Sequence, residues 1–148
     1  MQATIVFQKN WEAINEPCPV CENDDNLHCK WCSGSNKKYR YIVNRGSSRS
    51  SKTVSLIQLY DLYARSNENK RQTIWRDTKT DCKKTVLNDM IKMLRRENIY
   101  GLNQNFNKTE SIFTYATNST VEIHGTDDEE TVHGLTQDLA WFNEPYKI

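Results

Sequence analysis

Residues 39–64 read YRYIVNRGSSRSSKTVSLIQLYDLYA and carry the strongest fold signal in the chain. The apolar triplet 41–43 is typical of a short buried strand. Residues 54–64 are apolar at helical spacing and nearly all round, which predicts a helix buried between a sheet and another layer. A serine-rich loop ending in Lys52 and Thr53 lies between them. Strand, loop and helix in this order are typical of a phosphate-binding loop.

The loop matches a Walker A pattern with one departure. Gly46 is followed after four residues by Ser51, where the pattern has a second glycine, and then by Lys52 and Thr53. Small residues let backbone N–H groups approach a polyanion, the lysine supplies a point charge to phosphates, and the threonine hydroxyl is a ligand for Mg²⁺. Ser51 strains the loop if its position requires a positive φ. The alternative is a basic, serine-rich surface loop. The predicted nucleotide-binding residues are Gly46, Ser47, Ser48, Arg49, Ser50, Ser51, Lys52 and Thr53.

Downstream of this loop, strand-like and helix-like stretches alternate. Strand, helix, strand and helix in that order predict a mainly parallel α/β sheet flanked by helices. A turn-like Thr-Asn-Ser between the next two apolar stretches predicts an antiparallel addition. Asp81 suits the start of the second helix, and the asparagine-rich stretch 99–110 is predicted to be a loop. The predicted elements are strands at 72–75, 112–116, 121–124 and 139–142, a polar turn at 76–80 and a helix at 81–96.

Residues 139–144, LAWFNE, provide the second chemical signal. The apolar part predicts a buried strand that ends in Asn143 and Glu144. A carboxylate at such a strand end can polarise an attacking water, and in a Walker B site another acid usually precedes it. Asn143 can hydrogen-bond there but brings no charge, so we expect reduced Mg²⁺ affinity. Without the Walker A pattern upstream, an apolar strand followed by a polar turn is the simpler interpretation.

Four cysteines precede the loop within CPVCENDDNLHCKWC, residues 18–32, with the spacing C-x₂-C-x₇-C-x₂-C. Two such pairs can place four thiolates tetrahedrally around Zn²⁺, as in a zinc ribbon or knuckle. A redox site needs one pair near a helix, and a disulfide framework needs an oxidising compartment, which no apolar signal segment indicates. His28 is an alternative ligand to Cys29. The predicted zinc ligands are Cys18, Cys21, Cys29 and Cys32.

Composition sets limits on the class of protein. The chain has 148 residues, of which 36% are hydrophobic, with 20 basic and 19 acidic side chains. These values predict one soluble domain with a modest core and no transmembrane span. The near-neutral charge argues against a protein that coats nucleic acid generally. Cys82 is predicted to be a small core residue.

Together these motifs resemble the large terminase subunits of tailed bacteriophages, the ATP-driven motors that pump DNA into procapsids. The resemblance covers residues 39–148: RYIVNRGSSRSSKT as Walker A, QTIWRDTKTDCKKTVLNDMIKML as the following strand, Arg turn and helix, and VEIHGTDDEETVHGLTQDLAWFNE leading into Walker B. The last stretch looks like the branch found in phages of gut Bacteroidota, including crAss-like phages.

The resemblance implies roles for individual residues. Lys52 and Thr53 match the phosphate and Mg²⁺ residues, Glu144 matches the catalytic glutamate, and Arg76 falls where the family has an arginine after its second strand. The family's trigger arginine has Ser48 at the matching place, and two arginines are candidate substitutes: Arg49, which is adjacent, and Arg45, which precedes the loop. The implied catalytic residues are therefore Glu144, Arg49 and Arg76.

The resemblance also implies an architecture and a setting. We expect a P-loop NTPase of the additional-strand, catalytic-glutamate type, with an N-terminal segment at 1–16, a four-cysteine zinc insertion at 17–38 and an ATPase core at 39–148. Its ligands are expected to be ATP, Mg²⁺ and Zn²⁺, and its partners double-stranded DNA, the portal protein, the small terminase subunit and further copies in a ring. It is expected in the host cytoplasm, docked transiently on the procapsid portal, without a membrane and absent from the mature virion.

We further expect a sheet that is incomplete at the C-terminus. A strand, a coupling segment and an RNase H-like nuclease domain come after Walker B in the family, so hydrolysis by these 148 residues is expected to be slow or absent. The alternative function is a zinc-containing DNA- or protein-binding module with a degenerate, non-hydrolysing P-loop. Ser51, Asn143 and the short length favour this alternative, whereas the ordered strand, loop and helix favour the motor.

Overall fold

The computed structural model describes residues 4–21, 37–39, 41–44, 51–127 and 135–144. The chain divides into two compact units, Met1–Leu59 and Tyr60–Ile148. Within the described ranges, no helix is long and apolar enough to cross a membrane.

The first unit begins with helix α1 (Ile5–Asn15), which the sequence reasoning did not predict. Thr4 caps this helix, because its side chain accepts a hydrogen bond from the Phe7 backbone N–H at 3.1 Å. Phe7 and Trp11, one turn apart, stack with ring centroids 6.2 Å apart. A threonine cap followed by aromatics at this spacing is the signal that could have revealed the helix.

The chain on either side of residues 18–36 is held together by backbone pairing. Pro17 and Lys37 form an antiparallel bridge, and the Lys38 N–H donates to the Glu16 carbonyl at 3.0 Å. The side chains of Lys38 and Glu16 also form an ion pair. The predicted boundaries of the zinc insertion, residues 17 and 38, therefore lie side by side.

The prediction of a buried strand at 41–43 is wrong. No strand forms there, and Tyr41 and Val43 are 83% and 79% exposed. A strand requires a neighbouring strand to satisfy its backbone groups, and the paired strands among the described residues do not include this segment. Apolar composition alone did not create the pairing.

Helix α2 (Lys52–Ser66) confirms the predicted helix after the loop. One face is buried, with Ile57, Tyr60 and Ala64 at most 1% exposed, but Val54 is 38% exposed, so the helix is not buried on all sides as predicted. The boundary between the two units falls within this helix.

The second unit is built on β1 (Arg71–Arg76), β2 (Gln104–Asn107), β3 (Ile112–Tyr115), β4 (Thr120–Gly125) and β5 (Leu139–Phe142). They form one sheet in the order β2-β3-β4-β1-β5. β1 pairs in parallel with β4 and β5, whereas β3 pairs antiparallel with β2 and β4. The parallel part and the antiparallel addition are both confirmed, but the sheet is mixed rather than mainly parallel.

Two local predictions about this sheet are wrong. Residues 99–110 are not all loop, because β2 forms within them and Phe106 packs on Phe113 with ring centroids 4.4 Å apart. β5 has the predicted bounds but is not buried throughout: Trp141 is 9% exposed and Phe142 is 44% exposed. β5 is an edge strand of the described sheet, which leaves part of it open to solvent.

The predicted second helix is confirmed and has three parts: α3 (Lys79–Cys82), a π-helical turn (Lys83–Leu87) and α4 (Asn88–Arg96). Its cap is Thr78 and not Asp81, because the Thr78 hydroxyl accepts from the Asp81 N–H at 3.0 Å. The Asp81 carboxylate accepts from the same hydroxyl at 2.9 Å, so the acid supports the cap. Cys82 is fully buried, as predicted, and burial raises the pKa of its thiol to about 12.

The C-terminal half of α2 is joined to the sheet by polar contacts. The Tyr60 hydroxyl donates to the Thr73 carbonyl at 3.2 Å. Asp61 is completely buried, accepts from the Tyr115 hydroxyl at 3.1 Å and is paired with Arg65. Burial raises the pKa of Asp61, and Arg65 opposes this shift. The buried acid is thus satisfied by its neighbours, which fixes the helix on β3.

Glu122 is the centre of a second polar cluster, on β4. Its carboxylate accepts from the Arg71 guanidinium at 2.7 and 2.9 Å and from the Thr120 hydroxyl at 3.1 Å, and the His124 ring nitrogen lies 3.1 Å away. Burial alone raises the pKa of Glu122, but the hydrogen bonds from His124, Arg71 and Thr120 outweigh it and lower the pKa to about 2.

Glu122→Gln is expected to lower the free energy of unfolding by about 2 kcal/mol at neutral pH, because a charged bidentate hydrogen bond is lost. In the wild type this stabilisation is fully present at pH values above 4.5, the ordinary pKa of the carboxyl group. It is lost as the pH falls towards 2, the pKa of Glu122 in the folded protein. Urea unfolding as a function of pH measures both effects. The control is Glu68→Gln, an exposed change that should match the wild type. Equal acid sensitivity in all three proteins would contradict this account.

Candidate nucleotide-binding and catalytic residues

Ser51 has a φ of 60° and stands directly before the first residue of α2. The Ser55 backbone N–H and hydroxyl both donate to the Ser51 carbonyl, at 2.9 and 2.7 Å. The sequence pattern has glycine at position 51, and the backbone there does adopt the left-handed conformation that glycine tolerates best. Lys52 and Thr53, both half-buried, follow at the positive end of the helix dipole. This end of α2 suits an anion.

Helix α1 is hydrogen-bonded to residues on both sides of the sequence that matches the Walker A pattern. Before the loop, the Asn10 and Asn44 amides pair reciprocally at 3.2 Å, and Asn10 is 3% exposed. After it, the Thr4 and Ser55 hydroxyls are 2.6 Å apart. Described residues before and after positions 45–50 are therefore both hydrogen-bonded to this helix or its cap. The sequence reasoning missed these residues because it did not predict the helix.

Several predicted site residues lie outside the part of the chain that the structure describes. Of the Walker A pattern, the described residues include Ser51, Lys52 and Thr53. The others fall in the undescribed ranges: Gly46, Ser47, Ser48, Arg49, Ser50, and the zinc candidates Cys29 and Cys32, together with His28.

In the second unit the structure brings together two predicted residues, Arg76 and Glu144. Arg76 ends β1, and Glu144 follows the end of the parallel neighbour β5, so both lie at the same edge of the sheet. The Arg76 guanidinium donates to the Glu144 carboxylate at 3.0 Å. Asn143 extends the pairing, because its N–H donates to the Trp75 carbonyl at 2.9 Å. Glu144 has a φ of 54°, and its side chain is 53% exposed.

A residue that the sequence reasoning missed, Thr85, holds the other side of Arg76. The guanidinium donates to the Thr85 hydroxyl at 2.9 Å, and this hydroxyl donates to the Asp81 carbonyl at 2.7 Å. Thr85 belongs to the π-helical turn, and such turns are frequent at functional sites. Arg76 is thus fixed between a helix and the exposed carboxylate of Glu144.

Two of the four predicted zinc ligands are described. Cys18 and Cys21 are buried, with 1% and 6% of their surface exposed. The described ranges contain no group of three or more potential metal ligands. These two cysteines form a small buried cluster beside the paired ends of the insertion.

Ser51→Gly is expected to stabilise the protein by about 0.5 kcal/mol, because relief of a left-handed φ outweighs the added flexibility of the unfolded chain. Ser51→Val should cost more than about 1 kcal/mol, since a branched side chain fits this conformation poorly. Urea unfolding is the measurement. Asn118→Gly is the matched control, because its φ is also 60° but asparagine tolerates this region. A neutral Ser51→Val would contradict the conformation at this position.

Comparison with known proteins gives one informative match. No protein-family profile matches the sequence, and no curated protein matches it significantly. A similar solved structure is that of the large terminase from a thermophilic bacteriophage, with a TM-score of 0.64 and 17% sequence identity. The alignment covers 97% of this chain and 32% of that terminase, so the chain spans about a third of that protein's length. The chain therefore has a mixed α/β fold similar to part of a phage large terminase.

Proposed function

We propose that the chain is the ATPase portion of a phage DNA-packaging motor, which binds Mg-ATP and couples its hydrolysis to translocation of double-stranded DNA. The main supporting observation is the positive φ of Ser51, because it occurs at the start of α2 where the Walker A pattern has glycine. The fold's likeness to part of a large terminase supports the same proposal.

Each candidate residue has a role that its own surroundings support. Lys52, at the start of α2, supplies positive charge to the phosphates, and the Thr53 hydroxyl is a ligand for Mg²⁺. Bound Mg²⁺ neutralises charge that develops on the phosphates during transfer. The exposed carboxylate of Glu144 orients and polarises the attacking water.

Arg76 and Asn143 affect the charge of the proposed site. Arg76 is ion-paired with Glu144 and can stabilise negative charge near it, with Arg49 as a second candidate arginine in the undescribed loop. Asn143 occupies the place of the usual Walker B acid and brings no charge, so Mg²⁺ affinity is lower than in a site with two acids. The remaining loop residues, Gly46, Ser47, Ser48 and Ser50, supply backbone N–H groups to the phosphates in this proposal.

The proposed partners are those that the terminase resemblance implies. They are double-stranded DNA, the portal protein, the small terminase subunit and further copies of the chain in a ring, in the host cytoplasm on the procapsid portal. The resemblance of residues 121–144 to the crAss-like branch makes that branch the proposed source of the motor.

Mg-ATP is expected to bind the wild-type chain measurably by calorimetry, and Lys52→Ala is expected to weaken binding at least 10-fold, which corresponds to about 1.4 kcal/mol. Lys9→Ala, an exposed change on α1, is the matched control and should bind like the wild type. Equal binding by wild type and Lys52→Ala would reject the role of the loop. An absence of binding in all three would favour the alternative function below.

The alternative function is a zinc-containing DNA- or protein-binding module with a P-loop that does not hydrolyse ATP. Two observations favour it: residues 41–43 do not form the strand that should precede a Walker A loop, and Asn143 replaces an acid. The burial of Cys18 and Cys21 beside the paired ends of the insertion fits a zinc site in either function. We therefore propose Zn²⁺ bound by Cys18, Cys21, Cys29 and Cys32, whose thiolates would order a segment too small for a core of its own.

The purified chain is expected to contain close to one zinc per molecule, as about four thiolates are needed for one structural site. Cys18→Ser with Cys21→Ser should remove the zinc, and a chelator should lower the melting temperature of the wild type but not of this variant. Cys82→Ser is the control, because that thiol is buried and its pKa is raised to about 12, so it should not affect the zinc content. Unchanged zinc content in the double variant would contradict the site.

A further inference from the structure

A surface groove of about 460 Å³ lies in the second unit, and neither Arg76 nor Glu144 is among its lining residues. One side of the groove is formed by the long helix, made of α3, the π-helical turn and α4, on which Leu87, Ile91 and Arg95 follow one another at four-residue spacing. The other side contains Tyr100, after the helix, and Phe106 of β2. From residue 83 to residue 95 the helix rises roughly 18 Å, which is the length of about five or six residues of extended peptide.

The two ends of the groove are positively charged. Lys83, Lys84 and Lys108 lie at one end, because the helix starts and β2 stops at the same edge of the sheet. Arg95 lies at the other end, over the Tyr100 ring at 5.1 Å. Among the described residues, none of these four cations is paired with a carboxylate, and none of the groove-lining residues is acidic. The electrostatic complement of the groove is an anion at each end.

The floor of the groove combines apolar surface with one unsatisfied polar group. Leu87, Ile91 and Phe106 provide the apolar surface. Ser111 also lines the groove, is completely buried, and its hydroxyl has no hydrogen-bond partner among the described residues. Its φ of 67° is strained for a serine. A buried hydroxyl without a partner is costly, so a ligand that supplies a carbonyl or N–H gains free energy there.

Nucleic acid fits this groove less well than a peptide. Duplex DNA presents phosphates on a convex surface and keeps its bases stacked inside, so it would meet the rim and leave the apolar floor uncovered. Single strands require open aromatic faces for their bases. Here Arg95 lies over one face of the Tyr100 ring, and Phe106 packs in a tilted arrangement on Phe113.

We propose that this groove binds a short acidic segment of a partner protein. An apolar side chain of the segment lies between Leu87, Ile91 and Phe106, and one of its backbone groups bonds to the Ser111 hydroxyl. Its carboxylates pair with the cations at the two ends, which are Lys83, Lys84 and Lys108 at one end and Arg95 at the other. The groove gives the chain a protein-recognition site on the face formed by the long helix and the β2–β3 hairpin.

The probe is a fluorescein-labelled peptide of eight residues with Leu-Phe at its centre and three acidic residues on each side, and binding to the full chain is measured by fluorescence anisotropy. We expect saturable binding with a Kd of about 10–100 μM, which weakens as salt is raised. Lys83→Glu with Lys84→Glu should weaken it at least 10-fold (about 1.4 kcal/mol). A peptide with Ser-Ser at its centre should bind at least about 5-fold more weakly, because the floor then buries no apolar group.

The matched control is Lys92→Glu, which changes an exposed lysine of the same helix outside the groove and should alter the Kd less than about 2-fold. Ile91→Gln is a second variant, which keeps all four cations and should weaken binding like the Ser-Ser peptide. Far-UV circular dichroism verifies that the variants are folded. No saturation up to about 1 mM, an equal loss in Lys92→Glu, or tighter binding of an eight-nucleotide thymidine strand that competes with the peptide would overturn the proposal.

Discussion

Hydrogen bonding of β1 on both sides is the constraint on which the second unit depends. β4 and β5 both run parallel to β1, so the carboxyl ends of these three strands lie at the same edge of the sheet. Arg76 and Glu144 are neighbours only because of this arrangement, since they are far apart in sequence. The N-terminal end of β1 carries Arg71, whose bond to Glu122 secures the pairing with β4. The same strand therefore links the stability of the sheet to the placement of the candidate catalytic pair.

Pattern reasoning succeeded where local sequence and long-range pairing agree. Residues 139–142 have the predicted strand bounds, and the helix predicted at 81–96 is present. It failed at 41–43, where an apolar triplet lacks a pairing partner in the described sheet. It also failed at β2, because asparagine is uncommon in strands and its presence favoured a loop. Periodicity reports which side chains prefer burial, but it does not report whether a partner strand lies beside them.

The candidate site shows the same division. The Walker A pattern drew attention to Ser51, and the structure supplies the positive φ that the pattern implies for that position. The meeting of Arg76 and Glu144 could be expected from the rule that parallel strands end at one edge. The contact between Thr85 and Arg76 could not be expected, because it depends on a π-helical turn and the sequence KKTVL contains no residue that indicates such a turn. The role of α1 was also hidden, because it depends on bonds to Asn44 and Ser55, distant in sequence.

The π-helical turn also sets the rotational phase of the long helix. A turn with i to i+5 bonds accommodates one residue more than an α-helical turn without a corresponding rotation of the next helical segment. If the same residues adopted regular α-helical geometry, α3 would be rotated by about 100° relative to α4. Cys82 would then leave the core while Met90 stayed in it. The π-helical geometry of this turn thus lets both ends of the helix face the same sheet.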